Sequence, residues 1–149
     1  MANALEKNVN TTNTFYRRNN KCYIKKIETP LIYTNKGVIA QQSSVDYSGV
    51  LKGGKAVFFE CKETENKKSF PLGNLKQHQV FFLDFVNDLG AETFYLIHFK
   101  KVHEDVYKAP TSFINQYYHN AKNNDGRKSI PIGEFKNEWL VDIGNYLSL

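Results

Sequence analysis

Leu5, Val9, Thr12 and Tyr16 recur at helical spacing near the start of the chain and predict an amphipathic helix over residues 3–20. The period then shortens. Residues 22–27 predict a short strand, and residues 30–42 a hairpin turning around Asn35-Lys36-Gly37. Residues 46–51 and 55–62 predict a second hairpin across Gly53-Gly54. Residues 67–73, with Pro71, read as a loop. Asn74 is placed to cap a helix over 75–89 that stops at Gly90. Residues 93–99 predict an apolar, β-branched and aromatic strand, residues 102–107 another strand, and residues 112–122 a helix. A basic loop and a short segment holding Trp139 follow. The pattern shows no internal repeat and no low-complexity tract. Helix, several strands, helix and strand predict an α/β sandwich with a mixed sheet, and 149 residues suit a single domain over 1–149.

The most informative strand ends in Glu60-Cys61-Lys62, after the apolar run Ala56-Val57-Phe58-Phe59, with Asp46 fourteen residues upstream. Side chains of a strand alternate between faces. Val57, Phe59 and Cys61 therefore share one face, and Glu60 and Lys62 share the other. Such a pair on one strand is usually a solvated ion pair of little energetic weight. With an acid on a neighbouring strand, the same arrangement can hold a divalent cation and a water beside a phosphate. Magnesium prefers hard oxygen ligands and keeps several waters. Asp46 and Glu60 supply such oxygens, and the Cys61 carbonyl is placed to add one. Lys62 would orient the attacking water and contact the scissile phosphate.

In the helix over 75–89, Leu75, Phe82, Val86 and Leu89 form the apolar stripe, and Gln79 falls on it. A buried amide without a partner costs roughly 1–3 kcal/mol. Gln79 therefore either satisfies a backbone group of the sheet or points at the site edge. Glu6 follows Leu5 and could likewise face inward near the sheet, although periodicity alone makes it solvent-exposed.

Composition narrows the classes. Hydrophobic residues at 41% and charged ones at 23% fit a folded core. The two cysteines and four histidines show no zinc spacing, and Cys61 reads as a small apolar residue on a buried face. The opening residues lack the apolar core of a signal peptide, so a cytoplasmic, nucleoid-associated protein is expected, with no membrane partner. The net charge of +5 favours a polyanionic partner. Its basic residues gather as Arg17, Arg18, Lys21, Lys25 and Lys26, as Lys67 and Lys68, and as Lys122, Arg127 and Lys128. Each group alone fits a solvated surface, whereas three around one site fit a phosphate backbone.

These residues together resemble the RecU family, the Holliday junction resolvases of low-GC Gram-positive bacteria, mollicutes and their phages. The likeness runs through Leu5-Glu6, Asn10, Asn13 and Tyr16, then Ser44-Val45-Asp46-Tyr47-Ser48-Gly49-Val50. It continues through Phe59-Glu60-Cys61-Lys62-Glu63-Thr64, Asn66-Lys67, Ser69-Phe70-Pro71-Leu72, His78-Gln79 and Gly126-Arg127-Lys128-Ser129-Ile130-Pro131. The resemblance implies a restriction-endonuclease-like fold of the PD-(D/E)XK type. Asp46, Glu60, Lys62, Gln79 and Glu6 would be its catalytic residues, with Asp46, Glu60, the Cys61 carbonyl and Glu6 around Mg²⁺ or a substituting Mn²⁺. It also implies a homodimer that cuts four-way DNA junctions in recombination and repair. Lys67, Lys68, Arg127, Lys128, Arg17 and Arg18 are the expected DNA contacts. Residues 28–43 leave room for only a short version of the stalk that many members carry. The competing readings are a general or restriction-type endonuclease of the same fold, and a non-catalytic protein that binds branched DNA. An RNA-binding protein is a weaker third, since no aromatic recognition motif is present.

Overall fold

The computed structural model describes residues 2–40, 44–123 and 126–149. The first helix, α1 (Ala4–Arg18), starts where the Asn3 side chain accepts the Glu6 N–H at 2.9 Å. Glu6 in its first turn and Arg17 and Arg18 in its last complement the helix dipole. Strands β1 (Cys22–Lys26), β2 (Leu31–Thr34) and β3 (Gly37–Ala40) follow, then β4 (Tyr47–Leu51) and β5 (Ala56–Thr64). Among the described residues strands β2 and β3 pair only with each other, closing over Asn35-Lys36 as expected, and leave Leu31, Ile32, Tyr33, Val38 and Ile39 exposed. The end of the expected hairpin, Gln41 and Gln42, and residue 43 of the expected projection lie outside the described residues.

After β5 come β6 (Ser69–Pro71), α2 (Gln77–Asp88), β7 (Glu92–Phe99), β8 (Val106–Pro110), α3 (Thr111–Lys122), β9 (Ser129–Pro131) and β10 (Leu140–Val141). Six strands form one mixed sheet in the order β1-β4-β5-β7-β8-β10, parallel between β5 and β7 and antiparallel elsewhere. The expected α/β sandwich is thus present. Helix α1 covers one face through Leu5, Val9 and Tyr16 on Tyr47, Val57, Phe59, Cys61 and Phe94. Tyr47, Phe59 and Phe94 stack across β4, β5 and β7 at centroid distances of 4.9 and 4.6 Å. Helices α2 and α3 cover the other face, where Val80, Leu83, Ile114 and Tyr118 pack on Tyr95, Ile97 and Ala109.

Four expectations shift. Residues 102–107 are not a strand, because the chain turns where the Val102 and His103 N–H groups donate to the Phe99 carbonyl, and β8 starts at Val106. Asn74 does not cap α2: it ends a 3₁₀ turn over Leu72–Asn74, and the helix begins at Gln77 with Lys76 before it. The buried face of α2 is Gln79, Val80, Leu83 and Val86, while Leu89, at the end of the helix, is exposed. Residues 67–73 are not merely a loop. Ser69–Pro71 is strand β6, paired antiparallel with β9 and anchored in the core by Phe70 and Ile130.

That pairing also reveals a repeat that periodicity missed. Residues 67–76 (KKSFPLGNLK) and residues 127–136 (RKSIPIGEFK) align without gaps, sixty positions apart. A ten-residue unit used twice is far shorter than the 20–50-residue periods by which repeat architectures announce themselves.

Candidate active site

The site grows from the register of β4 on β5. Tyr47 pairs with Phe59, so Asp46, one residue before β4, stands opposite Glu60. The two strands lock there reciprocally. The Asp46 N–H donates to Glu60 Oε1 at 2.8 Å, and the Cys61 N–H donates to Asp46 Oδ2 at 3.0 Å. The fourteen-residue spacing in the sequence is therefore the span of one hairpin. Lys62, two residues on and on the same face, places Nζ 3.2 Å from Glu60 Oε2.

Glu60 is buried deeply for a carboxylate, at 1% exposure. Burial raises its pKa to about 8; the Asp46 charge pushes the same way, and Lys62 opposes both. Helix α1 brings Glu6 to the cleft, where Lys26 from the end of β1 meets its Oε2 at 2.6 Å. Glu6 is therefore not a solvated residue, since its side chain is only 13% exposed. Burial tends to lower the Lys26 ammonium, but the hydrogen bond and charge of Glu6 hold it above its ordinary value. On the other side α2 contributes Gln79, buried as expected.

A polar cleft of about 350 Å³ joins these groups, lined by Glu6, Asp46, Glu60, Cys61, Lys62 and Gln79. Asn3, Glu63, Asn74 and Lys76 complete its wall. Sequence reasoning missed these four as cleft residues, and it did not assign Lys26 to the site. Lys26 carried a usable signal: it ends a strand whose pairing with β4, Lys26 to Tyr47, sets it next to Asp46. All five expected catalytic residues therefore meet in one cleft. The cationic candidates divide. Lys67, Lys68, Arg127 and Lys128 lie exposed just before β6 and β9, and the chain that leaves β6 brings Asn74 and Lys76 to the cleft wall. Arg17 and Arg18 lie at the opposite end of α1 from Glu6, roughly 16 Å along the helix at 1.5 Å per residue.

The donor chemistry fits a hard divalent cation. Two carboxylates face each other across the strand pair, one of them buried at a cost that a cation would relieve. Among the described residues Gln79 Oε1 has no hydrogen-bond partner, although it is buried in the same cleft. Among the described residues no group of three or more Asp, Glu, His or Cys side chains forms a ready cage. These side chains therefore offer part of a coordination shell, as suits an ion that keeps much of its water.

The chain matches the family model described as "Recombination protein U" over residues 2–148. It is 35% identical to the Holliday junction resolvase RecU of Oceanobacillus iheyensis, across 91% of this chain and 74% of that protein. Its identity to the Geobacillus sp. protein of the same name is 32%, covering 97% of this chain and 74% of the relative. A Staphylococcus epidermidis protein, also named Holliday junction resolvase RecU, is 36% identical over 89% of this chain and 68% of its own length.

Proposed function

The chain belongs to the RecU family, and on that premise we propose that it is an endonuclease that resolves four-way DNA junctions during recombination. It acts by phosphodiester hydrolysis, with Mg²⁺ as its metal and Mn²⁺ able to substitute. The observation that carries this reading is the strand-end arrangement of Asp46 and Glu60, locked on each other with the Lys62 ammonium 3.2 Å from Glu60.

A phosphodiester resists hydrolysis because its charge repels nucleophiles and its alkoxide leaves poorly. A bound divalent cation would neutralise developing charge and lower the pKa of a coordinated water. Asp46, Glu60 and the Cys61 carbonyl would hold it, with Glu6 completing or tuning the shell under the restraint of Lys26. Glu60 would hold it as the carboxylate, the charge of the cation offsetting the burial that otherwise favours the protonated form. Lys62 holds the attacking water and a non-bridging phosphate oxygen with a compact ammonium. Gln79 would fix the geometry of the loaded site from the helix side. Asn74 and Lys76 border the cleft where the DNA strand enters.

Symmetric cutting of two strands needs two such sites related by a two-fold axis, so a C2 homodimer is the working assembly. The short hairpin β2–β3 meets the junction centre and supplies shape preference. Among the described residues no helix is long and apolar enough to cross a membrane. The test is cleavage of a labelled four-way junction, a matched linear duplex and single-stranded DNA, each with Mg²⁺, Mn²⁺ or EDTA. Metal-dependent, paired incisions confined to the junction are expected. Equal cutting of the linear duplex would favour a general endonuclease, and binding without cutting an architectural protein.

A further inference from the structure

The repeat is more than a likeness of sequence. Five of its ten positions are identical (Lys68/Lys128, Ser69/Ser129, Pro71/Pro131, Gly73/Gly133 and Lys76/Lys136), and only Asn74/Glu134 changes chemical character. The two copies also share a backbone course of strand, 3₁₀ turn and a helical turn, the last being the start of α2 in one copy and Asn137–Trp139 in the other. They pair with each other head to tail, Ser69 with Pro131, Phe70 with Ile130 and Pro71 with Ser129. The flanking bonds are reciprocal too. The Leu72 N–H donates to the Lys128 carbonyl at 3.0 Å, and the Ile132 N–H donates to the Lys68 carbonyl at 2.8 Å. A local two-fold axis therefore passes between Phe70 and Ile130, whose buried side chains anchor the ribbon. It relates Lys67-Lys68 to Arg127-Lys128, all four exposed.

Duplex DNA has the same symmetry: its antiparallel backbones are related by local two-fold axes. By strand alternation Lys67 and Arg127 share the face opposite the buried Phe70 and Ile130, and each lies three residues from the two-fold axis. Six residues along the ribbon at about 3.3 Å each and about 5 Å between strands set their backbones roughly 20 Å apart. A minor groove about 6 Å wide sets phosphate centres roughly 12 Å apart across it, within reach of two long, flexible basic side chains that lean inward. Gly73 and Gly133 add a second sign. At both positions an added Cβ would meet no atom of the described residues within 4 Å, and neither backbone has a positive φ, so nothing among the described residues demands glycine at either. A backbone that approaches a ligand closely does.

We propose that this duplicated ribbon is a two-fold clamp on a duplex arm, each copy gripping one of the two backbones across a minor groove. The proposal rests on the DNA-cleaving reading and says how the substrate is seated. The symmetry breaks where the first copy turns into the catalytic cleft at Asn74 and Lys76. In the second copy Glu134 replaces the asparagine, and Lys136 lies over Trp139, 5.7 Å from the ring centroid. Only one of the two gripped strands is thereby led to the metal-binding carboxylates.

The test compares K67A/K68A, R127A/K128A, the quadruple variant and G73A/G133A by fluorescence anisotropy against salt, in EDTA. The probes are a linear duplex and a single strand of the same length. On duplex, each double variant should lower the salt slope by similar amounts of about 1–2 units, at about 0.9 per phosphate contact, and the quadruple variant should lose both. On the single strand, which fills one copy at a time, each double variant should lose no more than about two-fold, and only the quadruple variant should lose binding. G73A/G133A should melt like the wild type yet bind duplex several-fold more weakly. The proposal is overturned if one pair carries all the duplex slope, if each pair costs the single strand as much as the duplex, or if G73A/G133A binds duplex as the wild type does. Junction cleavage by the wild type in Mg²⁺ is scored separately. Its absence beside an intact two-fold signature would sink the resolvase reading alone.

Discussion

Glu60→Gln should make the metal-free protein more stable while destroying its activity. Glu60 is ionised in the unfolded chain above its ordinary value of 4.5, but in the fold it holds its proton up to about pH 8. Folding at pH 8.5 therefore forces a charge into a site that is 1% exposed. At roughly 1.4 kcal/mol per pH unit the ceiling on that cost is about 5 kcal/mol. Glutamine removes the charge and keeps an oxygen for the Asp46 N–H. It also deprives Lys62 of its partner at 3.2 Å and turns an NH₂ toward the ammonium, which takes back a large part. The net gain should be roughly 1–3 kcal/mol, or about 2–10 °C in Tm for a chain of this size. The sign follows from linkage. A carboxyl whose folded pKa is raised contributes nothing adverse below its unfolded pKa, and its cost grows as pH rises through the window from 4.5 to about 8. Calorimetry or thermal circular dichroism in EDTA at pH 4.5, 6.5 and 8.5 should show the two proteins converging at low pH and separating upward. A variant that melts below the wild type at pH 8.5, or a gap that does not change with pH, would refute the burial argument.

Lys62→Ala should keep most of the cation affinity but lose turnover by a hundred-fold or more, read by calorimetry beside single-turnover cleavage; Lys62→Arg should restore it only partly, because a planar guanidinium cannot replace a compact ammonium. Gly49→Ala should destabilise by roughly 1–3 kcal/mol in urea melts, because its Cβ would fall 2.1 Å from the Tyr23 carbonyl oxygen and force β1, with Lys26, away from β4. Deleting Thr34–Gly37 should erode the preference for junction over duplex more than it weakens duplex binding, measured by competition; equal losses on both would assign the hairpin to general affinity or folding.

Where side-chain period and turn chemistry speak together, the sequence is legible. Gly53 and Gly54, both at positive φ, mark the hairpin that sets Asp46 opposite Glu60, and Gly90 at φ 101° ends α2 as expected. Gln79 was readable because an amide on an apolar stripe demands a partner. Other features depended on tertiary context. Glu6 looks solvated by helical period alone, and only the end of β1 crossing beside it supplies Lys26 and shelter. Strand β6 is three residues long and carries Pro71, so nothing local distinguishes it from a loop until β9, sixty residues later, arrives as its partner. Of the expected α2 stripe, Gln79 and Val86 are buried and Phe82 packs on the core; Leu75 is buried too, but from an extended conformation just ahead of the helix, and Leu89 beyond its end is exposed.

The most direct measurement of the central claim is single-turnover incision of a labelled four-way junction by the wild type and by Asp46→Asn, with junction affinity measured in parallel. In Mg²⁺ the wild type should cut symmetrically placed strands, and the variant should bind the junction as tightly while losing incision by at least a hundred-fold, since only a ligand charge is removed. Incision by Asp46→Asn at close to the wild-type rate, or wild-type cutting undiminished in EDTA, would contradict a metal-dependent site built on Asp46 and Glu60.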